Sequence, residues 1–288
     1  MTLSAFSTQF LIAAMIGSGL CANAQAQLGI KNKTMDNEQP LPAAPNIVKD
    51  YPVIEFRRYT IKSGGREQFA RYFESYFPEA FQQLGMMAFG QFFERGHARG
   101  FTWLRGFQSM EARAIASSAF YYGQVWKEHR VTLNNLIDDS DNVYLMRPLA
   151  AGRGVAVMPA VDPVHEPKGA HGILVAQLFS VKTNQLDRFA EQAETVFSRY
   201  RAAGIREAGV LVTLDAANNF PQLPVRTDGP YLLWLGLARD QEMLDNIWTP
   251  LAQQSLQRLA DTGLLMQMPE QIVMDPAQRS RLRWPNRE

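Results

Sequence analysis

The pattern of apolar and polar positions divides the chain into short strands and amphipathic helices. Residues 53–62 alternate and are rich in β-branched and aromatic side chains, which predicts a strand. Apolar residues then recur every three or four positions from Phe69 to Leu84, which predicts an amphipathic helix with a kink at Pro78. The same criteria predict strands at 86–95, 101–107 and 142–147, and a helical region from 110 to about 137.

Ser109 and Gly123 mark limits of this second helical region. The hydroxyl of Ser109 is suited to capping its N-terminus, and Gly123 is expected to interrupt it. The predicted order of elements is therefore β-α-β-β-α-β, the ferredoxin-like unit.

The same order recurs about 120 residues later along the chain. Residues 59–62 resemble residues 179–182, and both first helices end at a glycine, Gly85 and Gly204, where a C-cap glycine belongs. Asn184 is the predicted N-cap of the second copy's first helix. The second series comprises strands at 173–182, 208–214, 231–237 and 266–274 and helices at 186–203 and 242–259.

Two four-stranded sheets, each with helices on one side, bury their bare faces best against each other. The sequence therefore predicts an α+β fold in which tandem ferredoxin-like units form a dimeric α+β barrel. Either the two copies close the barrel within one chain, or the chain pairs with a second copy as a homodimer.

The N-terminal segment carries the pattern of a cleaved secretory signal. Residues 1–30 contain no charged side chain, and a short apolar run at 10–16 precedes two A-x-A sites that end at Ala24 and Ala26. We expect a signal peptide over 1–26, and a periplasmic or secreted mature protein. The single cysteine, Cys21, lies within this signal, and no later stretch is long and apolar enough to form a transmembrane segment.

Composition suggests the remaining boundaries. A flexible leader is expected over 27–50, and a linker with three prolines over 150–170. The linker separates a first domain over 51–149 from a second, divergent one over 171–276, and a tail over 277–288 follows. The 29 basic and 28 acidic residues give a net charge of +1, which disfavours nucleic-acid binding.

Four segments of the first copy resemble the motifs of a known protein family in order and spacing. Residues 55–64 (EFRRYTIKSG) resemble the opening E-x-R-x-Y-x-(L/I)-K-x-G of the NIPSNAP family, and residues 101–107 resemble its third strand. Residues 125–130 and 139–143 are similar to the closing region of its bacterial members. The resemblance implies the dimeric α+β barrel but no settled activity, because the wider fold includes cofactor-free monooxygenases, haem-degrading enzymes and small-molecule-binding proteins.

Glu55, Arg57 and Tyr59 share one face of the first predicted strand. If that face is turned into the barrel, a carboxylate, a guanidinium and a phenol lie in a largely apolar cavity. Trp103 and Arg105 of the third strand would share it. A few polar groups in an aromatic pocket are typical of a ligand site. The alternative is a buried ion pair between Glu55 and Arg57 with a structural role alone.

The second copy lacks the charged pair of the first. The offset places Val175, Gln177 and Phe179 where the first copy has its carboxylate, guanidinium and phenol. We therefore expect one site, with its polar groups supplied by the first copy.

Trp126 and His129 form a second candidate group on the predicted second helix. Trp126 is a candidate ligand contact, and His129 could act as a general base or as an axial haem ligand. The alternative is an exposed helical histidine, which the neighbouring Lys127 and Arg130 favour. No metal site is expected, because no H-x-H or H-E-x-x-H spacing occurs and the acidic run 138–142, predicted to be a turn, lacks the glycine and glutamate of a calcium loop.

Two functions remain open from the sequence. The first is an exported protein that binds a small, mostly apolar molecule inside the barrel through Glu55, Arg57, Tyr59 and Trp103, without a cofactor. The alternative is a cofactor-free or haem-related monooxygenase or an isomerase in which Arg57 steadies an anion and His129 or Tyr59 moves protons. A third interpretation is a structural or interaction protein whose barrel is solid core, and an aromatic-filled barrel with no void would leave only this one.

Overall fold

A computed structural model describes residues 51–285 of the chain, and the expected signal peptide and leader over 1–50 lie outside them. Eight strands and two helical layers make up the described part. The strands are β1 (Val53–Ile61), β2 (Met87–Glu94), β3 (Gly100–Phe107), β4 (Ile137–Pro148), β5 (Ile173–Ser180), β6 (Arg206–Thr213), β7 (Tyr231–Ala238) and β8 (Glu270–Pro276). The helices are α1 (Arg66–Tyr76), α2 (Pro78–Gln83), α3 (Met110–Tyr121), α4 (Gln124–Asn134), α5 (Leu186–Ala202), α6 (Gln241–Met243) and α7 (Thr249–Ala260).

The eight strands form a closed barrel in the order β1-β3-β2-β8-β5-β7-β6-β4. Every pairing is antiparallel. The first-half strands are contiguous in the order β4-β1-β3-β2, and the second-half strands in the order β8-β5-β7-β6. Pairing of β2 with β8 and of β4 with β6 joins the halves, so one chain closes the barrel by itself.

The interior of the barrel is filled by apolar side chains. One buried cluster draws on all eight strands and on none of the helices, so it lies inside the barrel. Its members include one fully buried side chain from each strand: Phe56, Phe92, Leu104, Met146, Leu174, Leu211, Leu233 and Met274. Alternation along the strands places the side chains between these positions on the outer face, towards the helices.

The helices cover the outer face of the barrel in two separate layers. Side chains of α1–α4 pack on the outer face of the first-half strands, and those of α5–α7 pack on the second half. Within residues 51–285, no helix has both the length and the apolar character needed to span a bilayer.

The predicted breaks within the helices are confirmed. Pro78 begins α2 directly after α1 ends at Tyr76, because proline cannot continue the hydrogen-bond ladder. The side chain of Ser109 accepts a hydrogen bond from the backbone N–H of Ala112 at 3.0 Å, and Gly123 separates α3 from α4.

Several boundaries in the sequence were predicted wrongly. The α5 N-cap is Gln185, whereas Asn184 adopts a left-handed conformation with φ 61° in the preceding turn. The helix predicted over 242–259 is divided by a π-helical turn at Leu244–Trp248, and the last strand begins at Glu270 rather than 266. The acidic run 138–142 belongs to β4, because its backbone pairs with β1.

The linker and the described part of the tail both pack against the barrel. The backbone N–H of Val210 in β6 donates to the carbonyl oxygen of Arg153 at 2.8 Å. In the tail, Leu282 is buried, and Arg283 forms a bidentate ion pair with Glu166 of the linker at 2.6 and 2.7 Å. These contacts tie the two segments to each other and to the strands.

Candidate functional site

The face of β1 that carries Glu55, Arg57 and Tyr59 is turned outward to the helices. Tyr59 belongs to the apolar cluster formed with α1–α4, and Glu55 is paired with Arg113 of α3. The expectation that this face looks into the barrel is therefore wrong. Residues on the opposite face, such as Ile54 and Phe56, fill the barrel instead.

Glu55 lies at the centre of a buried cluster of three arginines. Its carboxylate accepts hydrogen bonds from Arg57, Arg105 and Arg113, each at 2.7 Å. All four side chains are at most 1% exposed. The sequence suggested a pair between Glu55 and Arg57, and the structure shows a larger, charge-asymmetric group around the same carboxylate.

The electrostatics of this cluster favour the charged forms of Glu55 and Arg57. Burial by itself raises the pKa of Glu55, but the guanidinium groups of Arg105, Arg57 and Arg113 outweigh it and hold this pKa far below its usual value. Burial by itself lowers the pKa of Arg57, and Tyr59 and Glu55 more than reverse the effect. The cluster therefore holds one anion and three cations at neutral pH.

Arg57, Tyr59 and Trp103 form the floor of a cavity on this outer face. Nε of Arg57 donates to the hydroxyl of Tyr59 at 3.0 Å, and the guanidinium lies over the Trp103 ring, 5.3 Å from its centroid. Arg57 and Trp103 are register partners across β1 and β3, which explains why their side chains meet. Burial raises the pKa of Tyr59 and keeps its phenol protonated at neutral pH.

The cavity has a volume of about 140 Å³ and aromatic walls. It lies between the sheet and the helices, and its mouth opens beside the N-terminal part of β4. The wall side chains are Phe73, Phe77, Phe81, Phe120, Tyr121, Trp126 and Leu133, and the mouth is formed by Asn134, Ile137, Ser140, Asp141, Gln222, Leu223 and Pro224. Such a cavity matches the size of one that takes a benzene ring, about 150 Å³.

The loop between β6 and β7 of the second half completes the site. Gln222, Leu223 and Pro224 of this loop line the mouth. Two further loop residues fix Arg113, whose Nη1 donates to the side-chain oxygens of Asn218 at 3.0 Å and Asn219 at 2.8 Å. The site therefore depends on both halves of the chain.

The structure separates the residues predicted for the site. Arg57, Tyr59, Trp103 and Trp126 line the cavity, whereas Arg105 lies behind its floor as a partner of Glu55. His129 lies outside the cavity. Nδ1 of its ring is 2.8 Å from the Tyr72 hydroxyl, and the ring stacks on Tyr76 with centroids 3.8 Å apart.

The expectation that His129 acts beside Arg57 is therefore not supported by its position. The haem alternative also fits poorly. The imidazole is held between two tyrosines of α1, and a 140 Å³ cavity is smaller than the roughly 300–1,000 Å³ of pockets for drug-sized ligands. Among residues 51–285, no group of three or more metal-binding side chains is placed to hold an ion.

Arg113 is the main site residue that sequence reasoning missed. It lies on the buried face of α3, in helical register with Ala116 and Phe120. An arginine among apolar positions of an amphipathic helix is the signal that could have identified it, because buried cations are normally paired. Asn218 and Asn219 gave no such signal, because they lie in a loop of the other half.

The second half fills the equivalent position with neutral side chains. Gln177 is the register partner of Trp234, as Arg57 is of Trp103. Nε2 of Gln177 donates to the Tyr200 hydroxyl at 3.0 Å, and the Tyr200 ring lies against Trp234 with centroids 4.8 Å apart. The second half thus has a packed aromatic cluster at the position where the first half carries its charged pair.

Comparisons with known proteins agree with the family resemblance and the fold. Residues 54–150, roughly a third of the chain, match the model of the NIPSNAP family. No protein of curated function matches the chain. The NIPSNAP match covers the half that supplies the arginine cluster and the cavity floor.

Solved structures of similar fold cover most of the chain. A candidate monooxygenase from Lactobacillus acidophilus NCFM is 13% identical with a TM-score of 0.52, over 81% of this chain and 98% of that one. A second, from Fusobacterium nucleatum, is 10% identical with a TM-score of 0.53, over 83% and 99%. An anthrone oxidase-like protein is 11% identical with a TM-score of 0.50, over 79% and 92%. At these identities the similarity establishes the α+β barrel fold alone.

Proposed function

We propose that this protein binds a small, mostly apolar molecule in the cavity between the first-half sheet and its helices. The observation that carries the proposal is the cavity itself, about 140 Å³ with aromatic walls and three polar side chains, Arg57, Tyr59 and Trp103, at its floor. A small number of placed polar groups in an apolar concavity is the usual composition of a ligand site.

A substitution at the mouth tests the proposal without disturbing the arginine cluster. Ser140 lies at the mouth and is half-buried, so Ser140→Trp should block the cavity with a bulky side chain. The matched control is Ser63→Trp, at an exposed turn position after β1. Both variants place the same indole on the same half of the protein.

Native mass spectrometry and thermal unfolding with toluene, phenol and benzoate are the two measurements. We expect a retained small-molecule mass, or a rise in the unfolding temperature with at least one probe, in the wild type and in Ser63→Trp. Neither should occur in Ser140→Trp, because a ligand stabilises a protein only if it can bind the folded state. Equal shifts in both variants, or no mass and no shift in the wild type, would contradict the proposal.

A second candidate is a cofactor-free monooxygenase acting on a single-ring substrate. The observation in its favour is that Arg57 and the protonated Tyr59 lie together at a water-poor floor, where they would stabilise an enolate or phenolate oxygen. Similar structures carry the names monooxygenase and anthrone oxidase-like protein. His129 has no part in this version, because it lies outside the cavity.

Oxygen uptake with a single-ring hydroquinone tests this second candidate. The hydroquinone would reduce O₂. One oxygen atom would enter a ring C–H bond as a new hydroxyl group, and the other would leave as water with the two original hydroxyl hydrogens, which gives a hydroxyquinone. We expect the wild type to consume oxygen and Arg57→Gln not to, since that change removes the charge at the cavity floor. Uptake equal to the uncatalysed rate in the wild type would leave binding without catalysis.

We also propose that the protein is exported. The support is the uncharged N-terminal segment with its short apolar run and two A-x-A sites ending at Ala24 and Ala26. The mass of the protein isolated from the producing cells should correspond to cleavage after one of these alanines. A mature protein that retains residues 1–26 would contradict export through a cleaved signal.

The two halves are proposed to be diverged copies of one unit. The support is their equal element order, the corresponding strand orders, and the equivalent register pairs Arg57–Trp103 and Gln177–Trp234. A sequence profile built from the second halves of relatives should match first halves with the same register. A profile that matches an unrelated fold would argue against duplication.

A further inference from the structure

We infer that the cavity is selective for a single-ring aromatic anion, whose negatively charged oxygen is directed at Arg57 and Tyr59. This inference rests on the proposed binding function and adds the chemical class of the ligand. It follows from the charge of the buried cluster, from the hydrogen-bonding groups at the floor and from the size of the cavity.

The buried cluster has an excess of two positive charges. One carboxylate, Glu55, faces the three guanidinium groups of Arg57, Arg105 and Arg113, and all are at most 1% exposed. Arg113 is otherwise contacted by the neutral amides of Asn218 and Asn219. Excess charge is costly away from water, and a bound anion would reduce that cost.

Asp141 is the acidic residue among the side chains that line the cavity. It lies at the mouth of the cavity and is exposed, so solvent and salt screen its charge much more than the charges at the floor. The field at the floor is therefore dominated by the arginines.

The polar groups at the cavity floor present hydrogen-bond donors rather than acceptors. Arg57 donates from Nε to the hydroxyl of Tyr59 and from Nη1 to the carboxylate of Glu55. The Tyr59 hydroxyl accepts from Arg57, which leaves its own proton to donate. Among residues 51–285, Nε1 of Trp103 is buried without a hydrogen-bond partner. A ligand that satisfies such a floor must supply acceptor oxygens.

The walls and the volume define the rest of the ligand. The volume of about 140 Å³ suits one aromatic ring rather than a fused system. The cavity is lined by aromatic rings, such as the parallel pair of Phe81 in the wall and Trp103 in the floor, with centroids 5.7 Å apart and an interplanar angle of 4°. A flat ring with one carboxylate or phenolate group meets both requirements, and stacks on such walls at little conformational cost.

Calorimetric titration with benzoate and with benzamide tests the inference. The two probes share shape, and only benzoate carries a charge. We expect the wild type to bind benzoate at least about tenfold more tightly than benzamide, since charge-assisted hydrogen bonds are roughly twice as strong as neutral ones. Phenol compared with 2,6-difluorophenol, which is more acidic, tests whether a phenolate binds more tightly than a neutral phenol.

Arg57→Gln is the informative variant, because the second half carries glutamine at the equivalent position. It should fold and lose most of the preference for benzoate over benzamide. The matched control is Arg58→Gln, the adjacent arginine, which pairs with Glu94 and is not part of the cavity. This control should keep the preference. If Arg57→Gln fails to fold, Arg57→Lys replaces it and should weaken benzoate binding by losing the planar fork.

The outcomes separate this inference from the proposed function. Equal affinity for benzoate and benzamide, blocked in both cases by Ser140→Trp, would overturn the inference and leave binding of apolar molecules intact. A benzoate preference that survives Arg57→Gln would also overturn it. If neither probe binds and no other small aromatic molecule stabilises the wild type, both the inference and the proposed function fail.

Discussion

Arg57 and Trp103 face each other across β1 and β3, with the guanidinium 5.3 Å from the centroid of the indole. The pair forms the floor of the cavity and connects it to the buried arginine cluster through Glu55. The equivalent pair in the second half, Gln177 and Trp234, is neutral and packed against Tyr200.

Loss of the Glu55 charge should strongly destabilise the fold. In Glu55→Gln, three buried guanidinium groups lose their carboxylate, so the free energy of unfolding should fall by about 3–5 kcal/mol. Urea denaturation measures the change. The matched control is Glu194→Gln, a carboxylate bonded to Arg153 and Arg201 but partly exposed, which should cost less than about 1 kcal/mol. Similar losses in both variants would contradict a special role for the buried cluster.

The same carboxylate should make stability depend on acid pH. The pKa of Glu55 is 4.5 in an unstructured chain and far lower in the folded state. The contribution of ionised Glu55 to the free energy of unfolding is therefore complete above the pKa of the unfolded chain. It declines as the pH falls below about 4.5, by up to about 1.4 kcal/mol per pH unit. The stability difference between the wild type and Glu55→Gln should shrink over this range. A difference that stays constant from neutral pH to pH 3 would be the contrary result.

Removal of His129 should leave ligand binding unchanged. The ring contacts Tyr72 and Tyr76 on the outside of the helical layer. His129→Ala should therefore cost about 1 kcal/mol of stability, for the hydrogen bond and the stacking. Benzoate affinity, measured by calorimetry, should match the wild type. A large loss of affinity with an intact fold would place His129 at the site after all.

Truncation of Trp126 should enlarge the cavity and change its size selectivity. Its ring forms part of the wall, packed against Phe77 and Tyr121. Trp126→Ala should weaken benzoate binding by removing wall contacts, and should gain affinity for 2-naphthoate by about tenfold. Competition between the two acids provides the comparison. An unchanged ratio of the affinities for 2-naphthoate and benzoate would mean that Trp126 does not limit the size of the bound ligand.

The secondary structure could largely be predicted from local signals. The period of apolar positions, Pro78, Ser109 and Gly123 each act within a few residues of where they stand, and the structure confirms each break. The errors occurred where tertiary context overrides local preference. The acidic run 138–142 pairs with β1 despite its turn-like composition, because β4 extends along the neighbouring strand.

The side of the sheet that carries the site could not be predicted from alternation. The two-residue alternation of a strand shows that Glu55, Arg57 and Tyr59 share a face. It does not show whether that face is covered by helices or by the opposite sheet. The apolar side chains of Ile54 and Phe56, on the opposite face, fill the barrel. A charged cluster is better accommodated under the helices, where α3 supplies Arg113 and a loop of the second half supplies Asn218.

Diffraction from crystals soaked in 4-bromobenzoate is the most direct test of the site. The anomalous signal of bromine locates the molecule independently of any assumption about its pose. We predict a peak within the first-half cavity, among Phe77, Phe120 and Trp126, with the carboxylate next to Arg57. A peak inside the barrel, a peak in the second half, or peaks confined to the surface would contradict the claim that this cavity is the binding site.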